Sequence, residues 1–189
     1  MSEALPHKLA IVLLGAGRAS RFGGPKLAAD LAGQPVALHS AARLANLTAA
    51  DRVVVCSERT PHVPGFRRIL LTPEDAPLSR SIALGIAALG PVDGALIALA
   101  DMPLVPHDHF AALLTAFQGQ RVATSVEGRR MVPAVFPAAD FALLQSLGGD
   151  QGAGALLKSA QAVGLAPALA MDIDTPDDLE RAQRALQGR

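Results

Sequence analysis

Short apolar runs rich in β-branched residues alternate along this chain with longer Ala- and Leu-rich stretches whose apolar positions recur at helical spacing. That alternation is the pattern of a parallel sheet covered by helices. It predicts strands over residues 8–14, 52–56, 68–71, 95–100, 121–126, 132–136 and 168–173. It predicts helices over residues 36–46, 79–89, 106–117, 138–147, 152–160 and 176–186. The last helix has the clearest start, with Thr175 as N-cap, Pro176 in the first position and Asp178 placed for a capping box. No internal repeat or linker interrupts the pattern, so residues 1–189 are expected to form a single domain. Ligands of such sheets gather beyond the carboxyl ends of the strands. Chemistry is therefore sought just after each strand.

Composition narrows the class of partner. Half of the 189 residues are hydrophobic, yet no apolar stretch approaches the roughly 20 residues of a membrane span. Met1 to Lys8 lack the apolar region of a secretory signal, so a cytoplasmic protein is expected. Lys plus Arg and Asp plus Glu balance at 17 each, and there is no Trp or Tyr. A nucleic-acid binder would show a basic excess or a stacking platform. The expected partner is a small molecule. The single cysteine, Cys56, excludes an internal disulfide framework and a multi-cysteine zinc site, and it reads as a buried strand residue. The five histidines form no ligand pattern, and His107 and His109 read as surface residues.

After the first strand the chain runs Leu14-Gly15-Ala16-Gly17-Arg18-Ala19-Ser20-Arg21-Phe22-Gly23-Gly24-Pro25-Lys26. Small residues let a backbone approach a ligand closely, and successive N–H groups in such a loop make an anion-binding concavity. Arg18, Arg21 and Lys26 add three cations, so the loop reads as a polyphosphate site. It is not a Walker loop, because the chain has no Gly-Lys pair. Gly15 and Gly17 match the start of the dinucleotide fingerprint, but Ser20 stands at its third glycine. The acidic residue expected about 20 positions further on is absent from Leu38 to Arg43.

Two acidic segments complete the candidate chemistry. The run from Gly94 ends in Ala100-Asp101-Met102-Pro103. Asp101 alone reads equally as a turn cap or a ligand. At the edge where ligands sit, opposite the basic loop, it reads better as a Mg²⁺ ligand. The segment Met171-Asp172-Ile173-Asp174-Thr175-Pro176-Asp177-Asp178 offers four more carboxylates. Asp177 and Asp178 fall in the first turn of the last helix, where its dipole favours them. Asp172 and Asp174 alternate with apolar residues and are expected to share one strand face, where burial without a cation would be costly.

Leu14 to Lys26, with its spacing of Gly17, Arg21, Gly23 and Lys26, resembles the glycine-rich signature of the molybdenum-cofactor (molybdopterin) nucleotidyltransferases, MobA/MocA-like NTP transferases. The resemblance extends to Leu99-Ala100-Asp101-Met102-Pro103 and to Asp172-Ile173-Asp174-Thr175-Pro176. It implies a three-layer α/β/α Rossmann-like nucleotidyltransferase fold with a mostly parallel central sheet. The implied activity is transfer of a nucleoside monophosphate from CTP or GTP, with Mg²⁺, to a phosphorylated small molecule such as molybdopterin. A molybdoenzyme or chaperone would then receive the product. Arg21, Lys26 and Asp101 take the catalytic roles by the same resemblance. Leu14, Gly15, Ala16, Gly17, Arg18, Ser20, Arg21, Lys26, Asp75, Ser79 and Ser81 would hold the nucleotide. Asp101 and Asp172 would hold the metal, with Asp174 as the alternative to Asp172. Ser79 reads equally as a helix N-cap. Pro77, Ala83, Arg129-Arg130 and Gly154 depart from the family pattern, the last two on the acceptor side. Gly15-Ala16 stands between the pairs typical of cytidylyl and guanylyl transfer.

Overall fold

The computed structural model describes residues 7–16, 22–149 and 152–188. In chain order they form β1 (Leu9–Gly15), a short hairpin of β2 (Asp30–Leu31) and β3 (Gln34–Pro35), α1 (Val36–Ala45), β4 (Asp51–Cys56), β5 (Arg67–Leu70), α2 (Leu78–Ala87) and β6 (Gly94–Leu99). There follow α3 (His107–Thr115), β7 (Val122–Val126), β8 (Arg129–Pro137), α4 (Phe141–Gln145), β9 (Gln161–Gly164) and α5 (Pro176–Gln187). Seven strands make one sheet in the order β5-β4-β1-β6-β8-β7-β9, and only β8 runs antiparallel to its neighbours.

The period-2 geometry of a strand explains the layers. Leu9, Ile11 and Leu13 of β1 pack toward Ala37, Ala41 and Leu44 of α1 and Phe110 and Leu113 of α3. Ala10, Val12 and Leu14 point the other way, toward Ile82 and Ile86 of α2 and Leu144 of α4. Both faces of the central strand are therefore buried, and its sequence reads as one apolar run rather than an alternating one. A third cluster joins Leu31, Val36, Leu104, Ile173 and Ala182, seating α5 against the β2–β3 hairpin. The result is the expected α/β/α Rossmann-like fold with a mostly parallel central sheet.

Close packing of α2 on β1 depends on Gly85. A Cβ there would overlap Val12 Cγ1 and lie 3.1 Å from Val55 Cγ2. Any larger residue must push the helix off the sheet.

The two ends of the sheet differ from the expectation. Residues 168–173 are not a strand: a 3₁₀ turn, Pro167–Leu169, precedes irregular chain. The outer edge is instead β9, paired in parallel with β7, and the helix expected over 152–160 is the 3₁₀ segment Ala153–Leu157. Val163 is the one residue of β9 that is not exposed, so this edge strand shows little hydrophobic pattern. His109 is a second correction. It is buried, with Nε2 2.8 Å from Thr124 Oγ1, whose hydroxyl donates in turn to the Pro133 carbonyl. Its neighbour His107 is exposed, as expected. Cys56 is buried in β4, and burial pushes its thiol pKa up. Among the described residues no helix is long and apolar enough to cross a membrane.

Candidate active site

The carboxyl ends of β1, β4 and β6 lie side by side in the sheet. At the end of β1, the Gly15 carbonyl accepts the Thr60 hydroxyl at 2.8 Å, which ties the loop entrance to the turn after β4. Ala100 donates its N–H to the Leu14 carbonyl, so Asp101 emerges beside Gly15 and Ala16. The chain returns to this edge at Gly23, whose φ of +75° suits a residue without a Cβ. It then places Lys26 at the start of the 3₁₀ turn Lys26–Ala28.

Lys26 is where the three segments meet. Its Nζ lies 2.6 Å from Asp101 Oδ2 and 3.0 Å from Asp174 Oδ1, and its side chain is only 9% exposed. Burial would lower its pKa, but the two carboxylates, Asp101 foremost, raise it. The lysine is therefore firmly protonated. Asp101 Oδ1 is also buried, and it has no hydrogen-bond partner among the described residues. A buried carboxylate oxygen left unpaired is costly.

Several contacts outside this pair fix Asp101. Its carbonyl accepts the Ile173 N–H at 2.9 Å, bringing residues 172–174 alongside. From α1, Ser40 donates to the Met102 carbonyl and Arg43 to the Pro103 and Val105 carbonyls, so the turn after β6 is held from behind. The Asp172 carboxyl is pushed up to about 6, by burial first and then by the negative charges of Asp101 and Asp174, with Lys26 opposing. Asp172 as a residue is exposed. Water therefore tempers the burial part, while the repulsion is what a nearby cation would reverse.

Three neighbouring cavities with shared lining residues make a trough along this edge. The first, of about 200 Å³, is bounded by Gly15, the segment Gly24 to Leu27, Ser57, Arg59, Thr60, Glu74 and Asp75. The second, about 160 Å³, shares Gly15, Lys26 and Leu27 with it and adds Leu14, Ala16, Leu78, Leu99 and Asp101. The third, about 130 Å³, shares Leu14, Leu78 and Leu99 with the second. Arg129 and Arg130 are its charged lining residues, over an otherwise apolar wall.

The expected site residues fall into three groups. Leu14, Gly15, Ala16, Lys26, Asp75 and Asp101 all line the trough. Gly17, Arg18, Ser20 and Arg21 lie outside the described residues. Ser79 and Ser81 are in α2 but are not cavity-lining: Ser79 donates to the Gly149 carbonyl at 2.6 Å, and Ser81 is wholly buried. Ser79 is not the N-cap either, because that position is Pro77. Asp172 and Asp174 do not share a strand face, yet backbone pairing at Ile173 brings both to the cluster. The sequence reading missed Ser57, Arg59 and Thr60. They follow β4, and the rule used for β1 and β6 would have found them.

The donor set suits one hard cation. Among the described residues no three His, Cys, Asp or Glu side chains converge as a complete metal cage. Asp101 nevertheless lines the trough, and its buried Oδ1 is an orphaned oxygen. Mg²⁺ is commonly held by one or two carboxylates, with substrate phosphates and water completing its octahedron. The residues present fit that mode.

Comparison with known proteins agrees with this fold. Residues 11–163 match the model of the MobA-like NTP transferase domain. The purine catabolism protein PucB of Bacillus subtilis (strain 168) is 32% identical over 200 residues, covering 93% of this chain and 96% of that protein. A nucleotidyl transferase from Methanothermobacter thermautotroptrophicus superposes with a TM-score of 0.80 at 21% identity, over 96% of this chain and 99% of that one. Molybdopterin-guanine dinucleotide biosynthesis protein A from Archaeoglobus fulgidus does so with a TM-score of 0.71 at 17% identity, over 95% and 100%.

Proposed function

This chain belongs to the MobA-like NTP transferase domain family and is a nucleotidyltransferase of that family, and we propose that it uses CTP or GTP with Mg²⁺ to transfer a nucleoside monophosphate to a phosphorylated acceptor, molybdopterin being the leading candidate. The observation that carries this reading is the buried, unpartnered Asp101 Oδ1 beside Lys26, at the strand end facing the Gly15–Ala16 turn.

The reaction is a displacement at the α-phosphorus. An acceptor phosphate oxygen forms the new P–O bond, and the bond to the bridging oxygen breaks with its electron pair leaving on pyrophosphate. A phosphate monoester is already anionic near neutral pH, so no protein base is needed. The task left to the protein is positioning and charge neutralisation. Asp101, with Asp172 beside it, would hold Mg²⁺, which supplies charge stabilisation at the phosphates. Gly15 and Ala16 let the backbone approach the triphosphate. Lys26, with Arg21, neutralises the departing pyrophosphate. The first cavity, with Ser57, Thr60, Glu74 and Asp75, offers donors and acceptors for base and ribose. The third cavity takes the acceptor: its apolar wall suits a ring system, and Arg129 and Arg130 suit an anionic group.

The relation to PucB favours a second reading of the acceptor, because that protein's name places it in purine catabolism. Under this reading the nucleotide chemistry is unchanged and the acceptor is a different phosphorylated small molecule.

A thermal-shift comparison of CTP, GTP, ATP and UTP with Mg²⁺ tests the nucleotide. The tightest ligand gives the largest rise by mass action. CTP should lead GTP by about tenfold in affinity, about 1.4 kcal/mol. The motive is Ala16 in the wall of the second cavity, since Ser79 and Ser81 no longer support it. No shift with any of the four would remove the transferase reading.

A further inference from the structure

A site built to meet a metal and a triphosphate here already contains a cation. Lys26 Nζ uses two of its three donors on Asp101 and Asp174. Two carboxylates drawn together at the ends of the sheet need a positive partner, and Lys26 is bonded to both of them. The same side chain lines both the first and the second cavity, and its four-carbon stem can carry the ammonium from one to the other.

We propose that Lys26 is a displaceable internal counterion: Asp101 and Asp174 hold it in the ligand-free protein, and a metal ion arriving at Asp101 releases it toward the triphosphate. This rests on reading Asp101 as the metal ligand. A divalent ion alone must expel an ammonium from its own carboxylate, so it binds weakly. A triphosphate alone must draw Lys26 away and then face bare carboxylates, so it too binds weakly. Together the two ligands exchange partners with Lys26, and each strengthens the other by the same factor. Lys26 is in this sense a positioning residue for the metal as well as a phosphate ligand.

The test is Mn²⁺ binding to the nucleotide-free protein, followed by electron paramagnetic resonance of the free ion. Lys26→Met should bind Mn²⁺ at least tenfold more tightly than the parent. Lys26→Gln, which can still donate a hydrogen bond to Asp101, should do the same and guards against a folding defect in the first variant. Lys26→Arg keeps the charge and should leave Mn²⁺ binding as weak as in the parent. A purely structural lysine would not separate the neutral variants from the arginine one. Adding Asp101→Asn to Lys26→Met should abolish the gain. Unchanged or weaker Mn²⁺ binding in both neutral variants overturns the counterion role while leaving the metal assignment standing, provided that Asp101→Asn lowers binding. If Asp101→Asn in the Lys26→Met background binds as tightly as Lys26→Met alone, the metal assignment falls and the counterion role falls with it.

Discussion

Asp172 and Asp178 stand six positions apart in one acidic segment, and the fold treats them in opposite ways. Asp178 accepts hydrogen bonds from the Thr175 hydroxyl and from the Thr175 and Asp174 amides, and it pairs with Arg181. These contacts, led by Thr175, hold its carboxyl down to about 2. It is half of the capping box that starts α5. Asp172 has no cap to serve. It is pressed toward Asp101 and Asp174, and its carboxyl is pushed up to about 6. One carboxylate is satisfied by the fold, and the other waits for a positive charge. Crowded, unsatisfied carboxylates mark chemistry, while a capped one marks architecture.

The largest expected break in that contrast is Asp101→Asn. It should lower the transfer rate by on the order of 10²–10³, the usual cost of losing one charge-stabilising group. Metal-free nucleotide binding should stay level or tighten, because a repelling charge is gone. Next comes Lys26→Ala. Calorimetry should show triphosphate affinity falling far more than nucleoside affinity, since the ammonium reaches the nucleotide only through its phosphate charge. Equal losses would take Lys26 out of the phosphate site.

How far the sequence carried this account differs between its parts. β1 was legible because both its faces are buried and its run is uninterrupted. β9 was not, because it is short, mostly exposed and recognisable only once β7 is in place. Lys26 and Asp101 stood out by type and position. The pairing of Lys26 with Asp174 did not, because it closes a loop of 148 residues and depends on the Asp101–Ile173 backbone bond. Ser79 and Ser81 were read as ligands from the family resemblance. Helix phase turned one onto the Gly149 carbonyl and the other into the core.

The smaller effects separate the two aspartates by pH. Asp172 has a folded pKa above its unfolded value, so both states are protonated below about pH 4 and it adds no difference there. As pH rises toward about 6, the unfolded chain ionises first and stability falls. Asp172→Asn in EDTA should therefore melt higher than the parent at pH 7 and alike at pH 4. Asp178 has the reverse sign. Its stabilisation is present above the unfolded value near 4 and is lost as pH drops toward about 2. Asp178→Asn should cost about 1 kcal/mol at neutral pH, in the range of a lost helix cap. Denaturant melts that showed no cost would leave the capping box without energetic weight.

The most direct test of the central claim, that the Asp101 edge serves a metal while the helix start serves only the fold, is a Mg²⁺ titration of pyrophosphate release. The titration runs the parent beside Asp101→Asn, Asp172→Asn and Asp178→Asn, with the nucleotide chosen by thermal shift and a phosphorylated acceptor. The account predicts that Asp178→Asn overlays the parent curve, Asp172→Asn needs more Mg²⁺, and Asp101→Asn stays near zero at every concentration. Near-parental activity and Mg²⁺ dependence in Asp101→Asn would contradict it.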